Sequence, residues 1–296
     1  MNKVVIEAAK RTPIGSFMGT LSNIGAPELG SIVVKDLLSS IKLDPLQVDE
    51  VLMGHVLQAG TGQAPARQVA LNSGIPNSVP CTTINKVCAS GMKSIMLGAQ
   101  AIKLGDAEIV IAGGMESMSM SPHFVSLRKE NKFGSVNLKD IMQNDGLTDA
   151  YDKVAMGVFA DECAKKHKIS REEQDNFAIE SYKRSSKAWE SGKFHNEIVP
   201  VNIEKKGSNL IFDRDEEFTN VVIEKIPNLR PSFSKDGTAT AANSSTINDG
   251  AAAVVLMSEE KAKSLGINPM AMVIAQADAA VEPKWFTIAP AKALPI

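Results

Sequence analysis

TTINKVCASGMKS, Thr82 to Ser94, decides the fold. Thr82–Asn85 reads as a short strand, and from Ala89 to Leu104 small and apolar residues recur at helical spacing. AEIVIAGG (Ala107 to Gly114) follows as a buried strand. Upstream, VVIEAA (Val4 to Ala9) and EVLMGHVLQ (Glu50 to Gln58) read as strands. Pro27–Ile41 and Ala64–Asn72 read as helices, the first with proline in its opening turn. Strand and helix signals that alternate in this way predict an α/β sandwich with a largely parallel sheet.

Beyond Met120 the character changes. Residues 120–235 hold 38 of the chain's 66 charged residues, against 18 in 1–119 and 10 in 236–296. Such a middle reads as a surface excursion between two apolar α/β stretches. It contains one clear helix, with Ser170 and Glu173 as a capping box and an end near Gly192. The core pattern returns at TATAANSSTINDGAAAVVLM. AAAVVLM predicts a buried strand, Ser258 caps a short helix that Gly266 ends, and MVIAQADAA (Met272 to Ala280) predicts another strand.

A net charge of −2 and a pI near 6.1 give no basic field for nucleic acid or anionic lipid, so neither is expected as a partner. Three cysteines make no disulfide framework, and no His or Cys spacing fits a zinc site. The chain opens on VVIEAAKRTPIG without a signal-peptide or presequence pattern and has no apolar run of spanning length. A soluble cytoplasmic protein is the expectation.

Cys88 stands at the start of its helix, where the positive end of the dipole and free backbone N–H groups favour thiolate. The same N–H groups can stabilise charge that develops on an acyl oxygen. The small neighbours Ala89, Ser90 and Gly91 leave room for a substrate. A buried cysteine is otherwise most often a small hydrophobe, which is the reading for Cys81 and Cys163. His55 falls on a predicted strand, and His167 and His195 fall in charged surface stretches.

NKVCASGMKS resembles the nucleophile loop of the thiolase family. KRTPIG, GGMESMS (Gly113 to Ser119) and NDGAAA (Asn248 to Ala253) match family strings in the expected order. The resemblance implies a layered α/β/α/β/α fold with an inserted loop domain and a truncated C-terminal domain. Residues 1–119 with 244–268 would form the N-terminal domain, 120–243 the CoA-binding loop domain, and 269–296 the start of the C-terminal domain.

It also implies acetyl-CoA C-acetyltransferase chemistry through an acyl-Cys88 intermediate, run as condensation of two acetyl-CoA or as thiolysis of acetoacetyl-CoA. Coenzyme A thioesters would be substrates, with no tightly bound cofactor. Tyr182, Lys225 and Ser245 match CoA-contacting positions, and Ala241, Ala242 and Ser244 match a stretch that holds potassium. Asn220 stands where potassium-activated members carry an arginine, and Ala155 where many carry a histidine. A homo-oligomer, dimer or tetramer, is implied as well. A longer-chain 3-ketoacyl-CoA thiolase and a non-catalytic acyl-CoA-binding relative are the alternative readings, with a ketoacyl synthase disfavoured by the loop domain and GGMESMS.

The family's NEAFA string, the histidine of GHP and its second cysteine do not occur in these 296 residues. The expectation is therefore a polypeptide that is catalytically dead or nearly so, and poorly soluble because VVLM and MVIA lack full cover.

Overall fold

The computed structural model describes residues 2–128, 133–205 and 208–296. The chain groups into two compact units, one of Met1–Met142, His195–Glu216 and Asn248–Ile274, the other of Gln143–Phe194, Glu217–Ile247 and Ala275–Ile296. The charge-rich middle is thus shared between them.

The first unit is built on a seven-stranded sheet. Its members are β1 (Val4–Arg11), β2 (Gly15–Ser16), β3 (Glu50–Gly54), β4 (Cys81–Ile84), β5 (Ile109–Ser117), β10 (Asn248–Ser258) and β11 (Ala271–Met272). They lie in the order β11-β1-β10-β5-β3-β4, with β2 paired to β10. Two short hairpins accompany it, β6 (His123–Phe124) with β7 (Lys139–Asp140), and β8 (Val201–Lys205) with β9 (Ser208–Phe212).

Each face of this sheet is covered by helix. On α1 (Ala26–Ser40), Leu29, Val33, Val34, Leu37 and Leu38 recur at the spacing of one face, and all are buried. That face packs with α2 (Pro65–Asn72) against Ala251, Ala253, Val255 and Met257 of β10. The alternate β10 residues, Val254 and Leu256, meet Ala99 and Ile102 of α3 (Ser90–Leu104) on the other side. Each fully buried Leu, Val or Ile contributes about 2 kcal/mol, so β10, apolar on both faces, is the axis of the core. Ser258 at its end accepts from the Lys261 amide and caps α6 (Glu259–Ser264), as its sequence indicates.

Several expectations need correction. The sheet is mixed: β3 is parallel to β4 and β5, but β10 is antiparallel to both β1 and β5, and β11 is antiparallel to β1. A buried parallel strand and a central antiparallel one are both continuous apolar runs, so composition could not separate them. β3 stops at Gly54, because the Val56 and Leu57 amides turn onto the Glu116 carboxylate. His55 therefore lies just past the strand. Of MVIAQADAA only Met272 lies in a strand, the two-residue β11, and Ile274 is 80% exposed. VVLM, by contrast, is covered by helix on both faces of the sheet.

Charge ties the 195–216 segment to β1. The Arg11 guanidinium donates to Glu197 at 2.7 Å and, as a fork, to both oxygens of Asp215 at 2.7 and 3.1 Å. Glu216 accepts from the Ser16 and Thr20 amides and the Thr20 hydroxyl.

The second unit contains α4 (Met156–His167), α5 (Arg171–Glu190), a 3-10 helix at Ile223–Asn228 and α7 (Ala289–Ala293). The Ser170 hydroxyl accepts from the Glu173 amide and the Glu173 carboxylate accepts from the Ser170 amide, the reciprocal box read in the sequence. At the far end of α5, Trp189 stacks on Phe218 with ring centres 6.3 Å apart.

Two outcomes follow from the first unit. Arg11→Met leaves the half-buried Asp215 without its counter-charge and should lower stability by about 3 kcal/mol in urea denaturation. Arg11→Met/Asp215→Asn should recover more than half of that, and a single variant as stable as the parent would contradict the role given to the fork. Glu7 on β1 is 3% exposed, and among the described residues neither carboxylate oxygen has a hydrogen-bond partner. Burial raises its pKa. The folded chain therefore favours the neutral acid, so this term in stability is fully present below the ordinary carboxylate range and is lost as pH rises through the raised folded value. Glu7→Gln should stabilise the chain at neutral pH by about 1–3 kcal/mol, the cost of a buried unsatisfied group. The gain should vanish in acid; a gain of equal size at both ends of a pH series of melts would refute the assignment.

Candidate active site

Cys88 is placed by a strained turn. After β4, the Asn85 side chain accepts from the Val87 amide at 2.9 Å, closing a local turn. The Ser90 hydroxyl accepts from the Lys86 amide at 2.8 Å and donates to the Val87 carbonyl at 2.5 Å. Ser90 is 4% exposed, so this pair of bonds is shielded from water. Between them Val87 adopts φ +49°, a left-handed conformation that a β-branched residue adopts only at a cost of about 1–3 kcal/mol. The strain is held in place by bonds on both sides of it.

The result is an exposed Cys88 one residue before Ala89, the N-cap of α3. The Ser90 amide donates to the Val87 carbonyl at 3.1 Å, but among the described residues no side chain caps this helix, which leaves the amides of Gly91 and Met92 without a side-chain capping oxygen. α3 comes this close to the sheet because glycines line the contact. A Cβ on Gly54, at the tip of β3, would lie 2.4 Å from the Ser90 carbonyl carbon, and one on Gly114 would lie 3.1 Å from the Gly91 Cα. Ser94 fastens the first turn by donating to Gly113 O at 2.6 Å.

The other cysteines keep the structural reading. Cys81 on β4 is half-buried, burial pushes its thiol pKa up, and its sulfur faces the Val79 carbonyl at 3.3 Å. Cys163 is half-buried on α4. Among the described residues, no histidine is hydrogen-bonded to Cys88. His55, 1% exposed, pairs through Nε2 with Glu116 at 3.2 Å. The His55–Glu116 pair was not legible in the sequence, since its members are 61 positions apart and meet only through the parallel β3–β5 register.

In the second unit, a cleft of about 270 Å³ is lined by Tyr182, Glu217, Asn220, Lys225, Ala241 and Ala242, among others. Four residues singled out in the sequence, Tyr182, Lys225, Ala241 and Ala242, therefore share one wall system. Ser244 and Ser245 do not line it, and Ser245 is exposed. Burial raises the pKa of the half-buried Tyr182, and the Glu217 charge adds to this. The remaining lining is largely apolar: Val221, Val222, Ile226 and Leu229. A cleft with an aromatic ring, one lysine and apolar walls can take a flat ring system bearing an anionic group.

Comparison with known proteins agrees with this geometry. Residues 4–260 match the model of the thiolase N-terminal domain. Acetyl-CoA acetyltransferase B, mitochondrial, of Xenopus laevis is 55% identical over 297 residues, which cover 100% of this chain and 70% of that protein. The mitochondrial acetyl-CoA acetyltransferase of Homo sapiens is 51% identical over 98% of this chain and 68% of its own length. The crystal structure of Acat5 thiolase from Ascaris suum in complex with coenzyme A superposes with a TM-score of 0.93 at 46% identity, covering 99% of this chain and 75% of that one. These comparisons overturn the cytoplasmic expectation, because the related acetyltransferases are mitochondrial. Unpaired cysteines indicate a reducing compartment without saying which one. The chain belongs to the thiolase family and is acetyl-CoA acetyltransferase-like.

Proposed function

We propose that this chain carries the acyl-accepting part of acetyl-CoA C-acetyltransferase chemistry, with Cys88 as the acyl acceptor, and that these 296 residues do not by themselves complete the catalytic set. The observation that carries the reading is the exposed thiol at the uncapped start of α3, set there by a strained turn. In the first half-reaction the Cys88 thiolate attacks the thioester carbonyl of acetyl-CoA. The new S–C bond forms, the C–S bond to coenzyme A breaks, and the electron pair leaves with the CoA sulfur. Charge on the carbonyl oxygen develops beside the first N–H groups of α3, where the dipole favours it. In the second half-reaction a base, which none of the residues described above supplies, takes the α-proton of another acetyl-CoA. The carbanion attacks the carbonyl of acetyl-Cys88, the new C–C bond forms, the C–S bond to Cys88 breaks, and acetoacetyl-CoA leaves with Cys88 regenerated as thiolate. Thiolysis is the reverse.

The cleft of the second unit is the proposed seat of the CoA nucleotide. Tyr182 offers a ring face, and Lys225 a charge for phosphate. Ser245, exposed on the loop after Ala241 and Ala242, is proposed as a pantetheine contact. A potassium ion fits the same loop. The Ala241 and Ala242 carbonyls accept no hydrogen bond from the described residues, and Glu217 brings negative charge into the cleft. Ser244 would complete that set, and the ion would supply fixed positive charge near the nucleotide. Assembly into a homo-oligomer belongs to the same reading, since β4 is the outer strand of its sheet and has one edge left to pair.

Incubation with acetyl-CoA should add one acetyl group, localised to Cys88 by peptide mass spectrometry and absent from Cys88→Ser. Label at Cys81 or Cys163 instead would refute the assignment. Acetyl-CoA should label faster than a longer acyl-CoA; the opposite order would favour a longer-chain 3-ketoacyl-CoA thiolase. Lys225→Ala should weaken CoA binding about tenfold in calorimetric titration, the worth of one charge-assisted contact. The rate at which iodoacetamide alkylates Cys88 should not change.

A further inference from the structure

The two walls of the cleft are parts of the chain with no continuous secondary structure between them. One is the 3-10 helix Ile223–Asn228 with Leu229, and the other is the turn of Ala241 and Ala242. Both are tied to one side chain on α5. Asp175 is 4% exposed, so its charge is held almost wholly out of water. Its Oδ2 accepts from Arg171 Nε at 2.7 Å, and its Oδ1 accepts from Asn243 Nδ2 at 2.9 Å.

Each partner then reaches one wall. Arg171 Nη2 donates to the carbonyls of Ile226 and Leu229, both at 3.0 Å. Asn243 accepts from the Thr240 amide at 2.7 Å and donates to the Thr238 carbonyl at 3.1 Å, closing the turn that carries Ala241 and Ala242. We infer that Asp175 is a positioning residue which, through Arg171 and Asn243, holds the two walls of the CoA cleft at a fixed separation. It touches no part of the cleft itself, being absent from the lining. The inference rests on the proposal that the cleft seats CoA, but the clamp can be tested apart from that proposal.

The physical reason is that neither wall holds itself. The 3-10 helix contains Pro227, and its C-terminal end is held to α5 by Arg171, which shares the Ile226 carbonyl with the Leu229 amide and donates to the Leu229 carbonyl. In the other wall, loss of Asp175 would strip Asn243 of one of its side-chain bonds and leave only those to Thr238 and Thr240 to hold the amide. An amide in place of the buried carboxylate turns a donor toward Asn243 and removes the charge that holds Arg171, so both arms weaken, and a charge-assisted bond of this kind is worth about a tenfold factor or more.

The test combines hydrogen exchange with CoA titration on the whole chain. Asp175→Asn is isosteric and replaces one acceptor by a donor. It should speed amide exchange about tenfold in both 223–229 and 238–243, and weaken CoA binding by about the same factor. Asn243→Asp places two carboxylates 2.9 Å apart in the native geometry and should do the same. Asp175→Asn/Asn243→Asp restores the bond between the two side chains with its direction reversed, though it sets a carboxylate oxygen against the Thr238 carbonyl and leaves Arg171 a neutral partner, so its loss should be smaller than the product of the two single-variant factors. Alkylation of Cys88 by iodoacetamide should be equal in all four proteins, which a general loss of fold would not allow. Exchange that rises in one wall only, or in neither, overturns the clamp, as does a double variant in which the losses add. Both walls loosened with CoA affinity unchanged would uphold the clamp and remove CoA from the cleft.

Discussion

The closest contact between helix and sheet governs the nucleophile. Backbone meets backbone where α3 begins, with no side chain on Gly54, Gly91 or Gly114 to hold the two apart. A methyl group at Gly54 would force the Ser90 peptide away from the tip of β3. The buried Ser90 bonds, the left-handed Val87 and the exposure of Cys88 all depend on that approach. An activated thiol needs free backbone donors and an open face at once, and a glycine-lined crossing supplies both without a polar side chain in the core.

The cleft of the second unit solves a different problem. Its walls are short and irregular, so their position comes from charge and hydrogen bonds instead of apolar packing. Asp175, Arg171 and Asn243 are saturated by one another and by backbone carbonyls. A buried charge with all its partners costs little, whereas one left half-paired is expensive. Such an arrangement holds one geometry or fails as a whole, which suits a surface that must present a ring, a cation and carbonyl oxygens together.

Much of this was legible in the residues. The periodicity of α1, α3 and α5, the caps at Ser170 and Ser258, and the small-residue context of Cys88 each carry a local physical signal. Strand direction carried none. β10 reads as apolar throughout whether its neighbours run with it or against it, so the mixed sheet emerged only from the pairing. MVIA looked like a strand, yet its pairing with β1 ends at Met272 and the Val273 amide. The cleft was partly legible: Tyr182, Lys225, Ala241 and Ala242 were singled out from the resemblance, but Asp175 and Asn243 are separated by 68 positions and meet only in three dimensions.

The placement of β10 also sets an order of events during synthesis. β1 leaves the ribosome ahead of the other strands of its sheet, yet its partner on one side is residues 252–258 and on the other 271–272. β5 can join β3 as soon as both exist, but β1 has no strand to pair with until about nine-tenths of these residues are made. Val4, Val5 and Ile6 wait exposed through that interval. Pairing over so long a separation is slow, and the waiting edge is open to other chains. A cell that makes this protein must shield β1 until the central strand arrives.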